Sequence, residues 1–139
     1  MKKENILAFI RTKIHAVIST CGDSHSPEAA LIGFGETNDF ELVFGTFTTS
    51  KKYKNLQENP KVALVIGWDE EYITVQYEGI ATEIFGQERE KLVELYHKKV
   101  PSAAGYHNHP EQTYFKIIPT WVRYSDLSGE EDKIYEFDF

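Results

Sequence analysis

Cysteine occurs once in this chain, at Cys21, so no intramolecular disulfide can hold its 139 residues together. Stability has to come from buried apolar surface, for which a chain of this length suffices, and a lone thiol fits a reducing compartment. Cys21 itself reads as a small apolar strand residue. No apolar run reaches the roughly 20 residues that a bilayer-spanning helix needs. The opening MKKENILAFIRTK breaks its apolar stretch with Arg11 and Lys13, which excludes a secretory signal peptide. The chain is therefore expected in the cytoplasm with no membrane partner. Basic charge is scarce as well: 15 Lys and Arg stand against 22 Asp and Glu, a formal charge of −7, and a nucleic-acid backbone needs the opposite balance. The Gly-rich fingerprint of a dinucleotide fold is missing, and helices do not alternate with strands, so a doubly wound sheet is excluded. No Ser, His and Asp stand in a nucleophilic arrangement. Repeats, linkers and low-complexity stretches are absent too, which leaves a single domain over residues 1–139.

What is present points to sheet. Aromatic residues make up 14% of the chain, with nine Phe and eight Tyr, types that favour strands. Residues 3–12 space Ile6, Leu7, Phe9 and Ile10 as a short helix with one buried side, placed as a lid. Strands are expected over residues 15–20, 29–35 and 41–47, with turn chemistry in CGDSHSPE and around Asn38-Asp39. Residues 61–68, KVALVIGW, read as a strand buried on both faces. Residues 72–85 alternate as one long strand in which Gly79 marks a bulge or bend. Residues 87–100 return to helical spacing, with Leu92, Val93, Leu95 and Tyr96 as the buried stripe and Pro101 as the stop. Residues 101–112 form a loop or loose helical turn. Two late strand segments, 113–118 and 122–125, bend around Pro119, and KIYEFDF adds an edge strand. About six strands with three helices at the margins describe a small, closed or nearly closed antiparallel barrel.

The stretch 44–60, FGTFTTSKKYKNLQENP, carries the chemistry. Ser50 is a good helix N-cap, and Asn59-Pro60 stops that helix after about two turns. Lys51 and Lys52 open the helix, where its partial positive charge disfavours cations by roughly 0.3–1 kcal/mol each unless an anion is bound. Four hydroxyls, from Thr46, Thr48, Thr49 and Ser50, precede them. A phosphate explains both features. His97, His107 and His109 are permissive for a metal or haem but read as a surface loop, so no metal site is assigned. The carboxylates of 69–71 and 130–132 read as solvated turns.

Ser50, Lys51, Lys52, the helix through Leu56, Asn59-Pro60, the apolar strand to Trp68 and the alternating strand to Gly79 stand in a fixed order. In this the chain resembles the pyridoxamine 5′-phosphate oxidase-like, FMN-binding split-barrel family, without a gap from about residue 44 to 79. The resemblance implies a mainly β fold, a split antiparallel barrel of Greek-key type. It implies an FMN phosphate held by Lys51, Lys52, Ser50 and Thr46, with Gly45 beside them. It implies further that Ala30, Leu31, Ile32 and Gly33 line the flavin, with Thr74 on the long strand and Trp121 reaching the ring. A homodimer with two flavin sites at its interface follows in the same way, as does oxidoreductase chemistry on a small substrate, with no catalytic side chain required. Two departures stand out: Ala30 occupies the place of an arginine of the oxidases, and the C-terminal arginine that grips their substrate has no counterpart. The alternative is a non-catalytic barrel that stores or senses flavin or haem.

Overall fold

The computed structural model describes residues 1–69 and 71–139; of the acidic turn 69–71, Glu70 lies outside the described residues. Helix α1 (Lys3–Arg11) buries Ile6, Leu7 and Ile10 completely or nearly so, and sets Phe9 edge-on against Tyr124. Those apolar positions fall on one helical face, so α1 closes an opening of the barrel rather than standing free. Strands β1 (His15–Cys21) and β2 (Pro27–Gly33) form the first hairpin. After Phe34 comes β3 (Gly35–Glu36), then β4 (Leu42–Phe47), α2 (Lys51–Glu58), β5 (Lys61–Trp68) and β6 (Ile73–Glu83). Helix α3 (Gly86–Lys99) runs into a 3-10 helix (Pro101–Tyr106), and β7 (Gln112–Asp126) and β8 (Lys133–Asp138) end the described fold.

All pairings are antiparallel, in the order β2-β1-β5-β6-β7-β4-β3, with β8 added on β7. Strands β5, β6 and β7 make a meander, and β4 lies beside β7, so the β4–β5 connection through α2 crosses one end of the sheet as a Greek key. The two ends of the strand order, β2 and β3, are separated in the chain by Phe34 alone. The sheet must therefore curl until its edges nearly meet. Phe34, fully buried, sits at that seam, and its N–H bonds to the Ile14 carbonyl rather than to a strand partner. Inside are the interior faces of the strands: Ile18, Phe44, Leu42, Ile66, Val75, Ile117 and Val122 are all sealed from solvent. A second cluster, with Val43, Ile84, Leu92, Val93, Tyr96 and Tyr114, fills the layer between sheet and α3.

Three expectations need correction. Strand β5 is buried on one face only: Val62, Leu64 and Ile66 point inward, while Lys61, Ala63 and Val65 are exposed, because no helix among the described residues covers this outer face. The late segments are one strand, not two bent around a proline. Pro119 stands opposite Gly79, where the β6–β7 register slips, so its missing N–H falls where the ladder is already broken. A Cβ on Gly79 would lie 2.5 Å from the Ile118 carbonyl oxygen, so only glycine admits that close approach. Finally, the strand expected over 29–35 is split at Phe34 into the end of β2 and the start of β3, while the KIYEFDF edge strand is present as β8 on β7.

Candidate functional site

A cavity of about 590 Å³ lies where the barrel is split, between β2 on one side and β4, α2, α3 and the β7 start on the others. Its polar end is built by the first turn of α2. The Ser50 hydroxyl caps the helix, accepting from the Tyr53 N–H at 3.1 Å, and is bonded to the Thr46 hydroxyl at 2.8 Å. Lys52 lies beside them, half-buried, and burial pulls its ammonium below the usual lysine range. No carboxylate pairs with it among the described residues. A partly desolvated cation next to two hydroxyls, with no acid to balance it, is the donor set of an anion site.

The orientation of α2 follows from its buried face. At about 100° per residue, Lys52 falls at the centre of the face that buries Asn55 and Leu56, while Lys51 is a quarter turn away. Asn55 Nδ2 donates to the Thr20 hydroxyl at 3.0 Å, which pins that face to β1. Lys51 is consequently exposed and lines a separate recess with Thr48, Thr49, Tyr53 and Lys54.

More of the lining comes from α3 and from the start of β7, which pairs with β4 beside Thr46. A Cβ on Gly35 would lie 2.9 Å from the Tyr96 Cα, so glycine lets α3 press against β3 and carry Tyr96 to the cavity. There the Tyr96 hydroxyl lies beside Gly33, 3.2 Å from where a Cβ would be. Burial, and secondarily Tyr114, pushes that hydroxyl up to about 12, so it is protonated at any physiological pH. Tyr114 also borders the cavity, but its hydroxyl meets His107 Nδ1 at 2.9 Å and His97 Nε2 at 3.3 Å. Burial first, then the adjacent His107, holds His97 below the ordinary imidazole value. Lys99 closes this layer, its ammonium 2.5 Å from the Glu36 carboxylate and 3.9 Å from the centre of the Phe34 ring.

Of the residues singled out in the sequence, Leu31, Ile32, Gly33, Gly45, Thr46, Ser50 and Lys52 line this one cavity, although they come from three separate elements. Lys51, Ala30, Thr74 and Trp121 are not among its lining residues. Ala30 packs on the barrel core opposite Ile18, Thr74 pairs with Gly67 and Ser125, and Trp121 pairs with Glu78 and Asp138. His109 stacks on Phe47 with ring centres 4.3 Å apart, and no group of three metal-ligating side chains forms among the described residues. Tyr96, Tyr114 and Gln112 are among the lining residues that the sequence concealed. Tyr96 sits in the apolar stripe of α3 and looks like core; the signal was its hydroxyl, which a buried position must satisfy somehow.

A family model described as pyridoxamine 5′-phosphate oxidase matches residues 3–126. The chain belongs to the pyridoxamine 5′-phosphate oxidase family. Within that family it is 35% identical over 68 residues to pyridoxine/pyridoxamine 5′-phosphate oxidase 2 of Hydrogenovibrio crunogenus, a match covering 49% of this chain and 32% of that protein. The chain thus matches only about a third of the length of this curated relative. Among solved structures, a pyridoxamine 5′-phosphate oxidase-related, FMN-binding protein of Nostoc punctiforme superposes with a TM-score of 0.74 at 15% identity, covering 99% of this chain and 91% of that one. A haem-binding protein of Mycobacterium smegmatis superposes at 0.77 with 16% identity, covering 91% and 53%. At such identities these two likenesses establish the fold, a split barrel of the family's kind, and nothing finer.

Proposed function

We propose that this protein binds FMN in the cavity at the barrel split and works as an oxidoreductase on a small substrate. The observation that carries the reading is Lys52: a half-buried cation, without an acidic partner among the described residues, beside the paired hydroxyls of Ser50 and Thr46. A phosphate monoester would satisfy all three, with Lys51 adding charge from the outer side of the same helical turn. Leu31, Ile32, Val100 and Ala103 with the Tyr96 and Tyr106 rings give the cavity the apolar lining that suits a heteroaromatic ring. The family model and the Nostoc neighbour support the same choice.

Bound FMN would supply the hydride or electron transfer itself. The chain's part is to hold the phosphate at Lys52, Ser50 and Thr46, to present the β2 backbone along Leu31–Gly33, and to keep water from the ring. A second copy fits this division of labour. Leu31, Val17 and Val65 stand side by side across β2, β1 and β5 by register and are 68%, 44% and 43% exposed, and Leu31 also borders the cavity. A homodimer packed on that row would cover the cavity mouth, and Thr74 and Trp121, on the same outer side of the sheet, would lie near the covered face. The haem alternative is less favoured, because His97 and His107 line a separate recess with Arg89, Glu90 and Glu94. Protein isolated without chelators should carry, or take up, a chromophore absorbing near 450 nm. In Lys52→Ala the Kd for FMN should rise about 10- to 100-fold, the loss of one charge-assisted bond, with the fold intact by circular dichroism. Unaltered affinity in that variant sinks the phosphate assignment.

A further inference from the structure

Two buried tyrosines border the cavity from the α3 side, and they differ in one respect. The Tyr114 hydroxyl is held by His97 and His107. Tyr96 is 6% exposed, yet its hydroxyl makes no hydrogen bond among the described residues, and its oxygen is not sealed off, so it opens onto the cavity beside Gly33. Buried phenols almost always find a partner. In the free protein, water entering the cavity can serve. A ligand that fills the cavity displaces that water and must replace its bond, or it loses affinity. The occupant therefore has to present an acceptor at this point, beside Gly33.

We propose that Tyr96 is a ligand-contacting, specificity-determining residue whose hydroxyl donates a hydrogen bond to a carbonyl oxygen or ring nitrogen on the polar edge of the bound flavin ring. This rests on the flavin reading above and deepens it. Phosphate and ring edge are then recognised from two different elements, α2 and α3, and an apolar ring of equal size is disfavoured because it strands the phenol. The hydroxyl is kept protonated by its surroundings, so the contact is a donor and does not titrate in the physiological range.

The test is FMN titration of wild type, Tyr96→Phe and Tyr77→Phe, followed by flavin absorbance and fluorescence. Tyr96→Phe keeps the ring and removes only the oxygen; Tyr77→Phe removes a hydroxyl from the barrel interior, away from the cavity. The expected result is a Kd raised about 3- to 10-fold in Tyr96→Phe, with a displaced flavin absorption band, and an unchanged Kd in Tyr77→Phe. A Tyr96→Phe protein with wild-type affinity and spectrum overturns the contact while leaving the flavin reading standing. Wild type that binds no FMN overturns that reading, and the contact falls with it. If Tyr96→Phe does not fold, wild type labelled with ¹³C at tyrosine Cζ decides instead: the Tyr96 resonance must move on FMN addition, and a stationary one refutes the proposal.

Discussion

The barrel interior and the layer beneath α3 are both well buried, but they treat polar groups differently. Inside the barrel every buried polar side chain among the described residues is paired within the chain: the Tyr77 hydroxyl sits 2.7 Å from the Phe40 carbonyl oxygen and 3.1 Å from that of Ile117, the Thr20 hydroxyl accepts from Asn55, and most of what remains is hydrocarbon stacked as Phe44 is on Phe115. Beneath α3 a smaller cluster is bordered by a Lys99–Glu36 ion pair, two histidines on one phenol and a second phenol open to the cavity. The interior is finished without a ligand. The α3 layer, together with the head of α2, keeps donors and charge in reserve, the local inconsistency that marks a candidate binding site in a fold that is otherwise self-sufficient.

The largest effect expected from that contrast comes from the interior. Phe44→Ala removes a fully buried ring and should cost about 3–5 kcal/mol of stability, read as a lowered midpoint in urea unfolding. Glu36→Ala, in the α3 layer, leaves the Lys99 ammonium without its near partner in a site where the two side chains are only 14% and 9% exposed. It should cost about 3 kcal/mol, and a double replacement with Lys99→Met should recover much of it, as a buried charge stranded by mutation requires. Ligand binding separates the two lysines next: Lys51→Ala should weaken FMN by only about twofold to fivefold, a through-space term at a helix start, against the far larger loss at Lys52. Equal losses at both would erase the distinction between the inner and outer faces of α2.

The smallest effect is one of pH. The His97 value is depressed in the folded chain, so below the unfolded imidazole value of about 6.5 the unfolded chain binds more protons. The stability contributed by the neutral ring is complete above that pH and is lost as pH falls. Thermal melts between pH 7.5 and 5.5 should decline, and His97→Gln should flatten that decline while leaving the Phe44→Ala deficit unchanged. A slope identical in the two proteins would place the titrating group elsewhere.

Much of this was legible in the chain. The Ser50 cap, the stop at Asn59-Pro60, the bulge at Gly79 and the alternation of β6 all follow from local stereochemistry, and each appears in the fold. The α2 side of the candidate site was legible too, because two lysines at a helix start are a local electrostatic misfit and one of them, Lys52, lines the cavity. The α3 side was not. Tyr96 has the spacing of a core residue, and nothing within its own helix reveals that Gly35 will bring it against Gly33 across the seam. The strand buried on both faces failed for a related reason: an apolar run reports what a strand can bury, and only its neighbours decide what covers it.

By itself, then, the sequence determined the kinds of element, most of their ends, the absence of an intramolecular disulfide and the unusual pair of lysines at the start of α2. Those properties arise from dihedral preference, capping and charge within a few residues, which the chain carries wherever it goes. Tertiary structure alone decided that Lys52 faces the cavity and Lys51 does not, because a helix fixes the angle between adjacent side chains but its buried anchor, Asn55 and Leu56 on β1, sets which one turns inward. It also decided that β2, α2 and α3 share one cavity, since only closure of the sheet around Phe34 brings residues so far apart in the chain to the same wall.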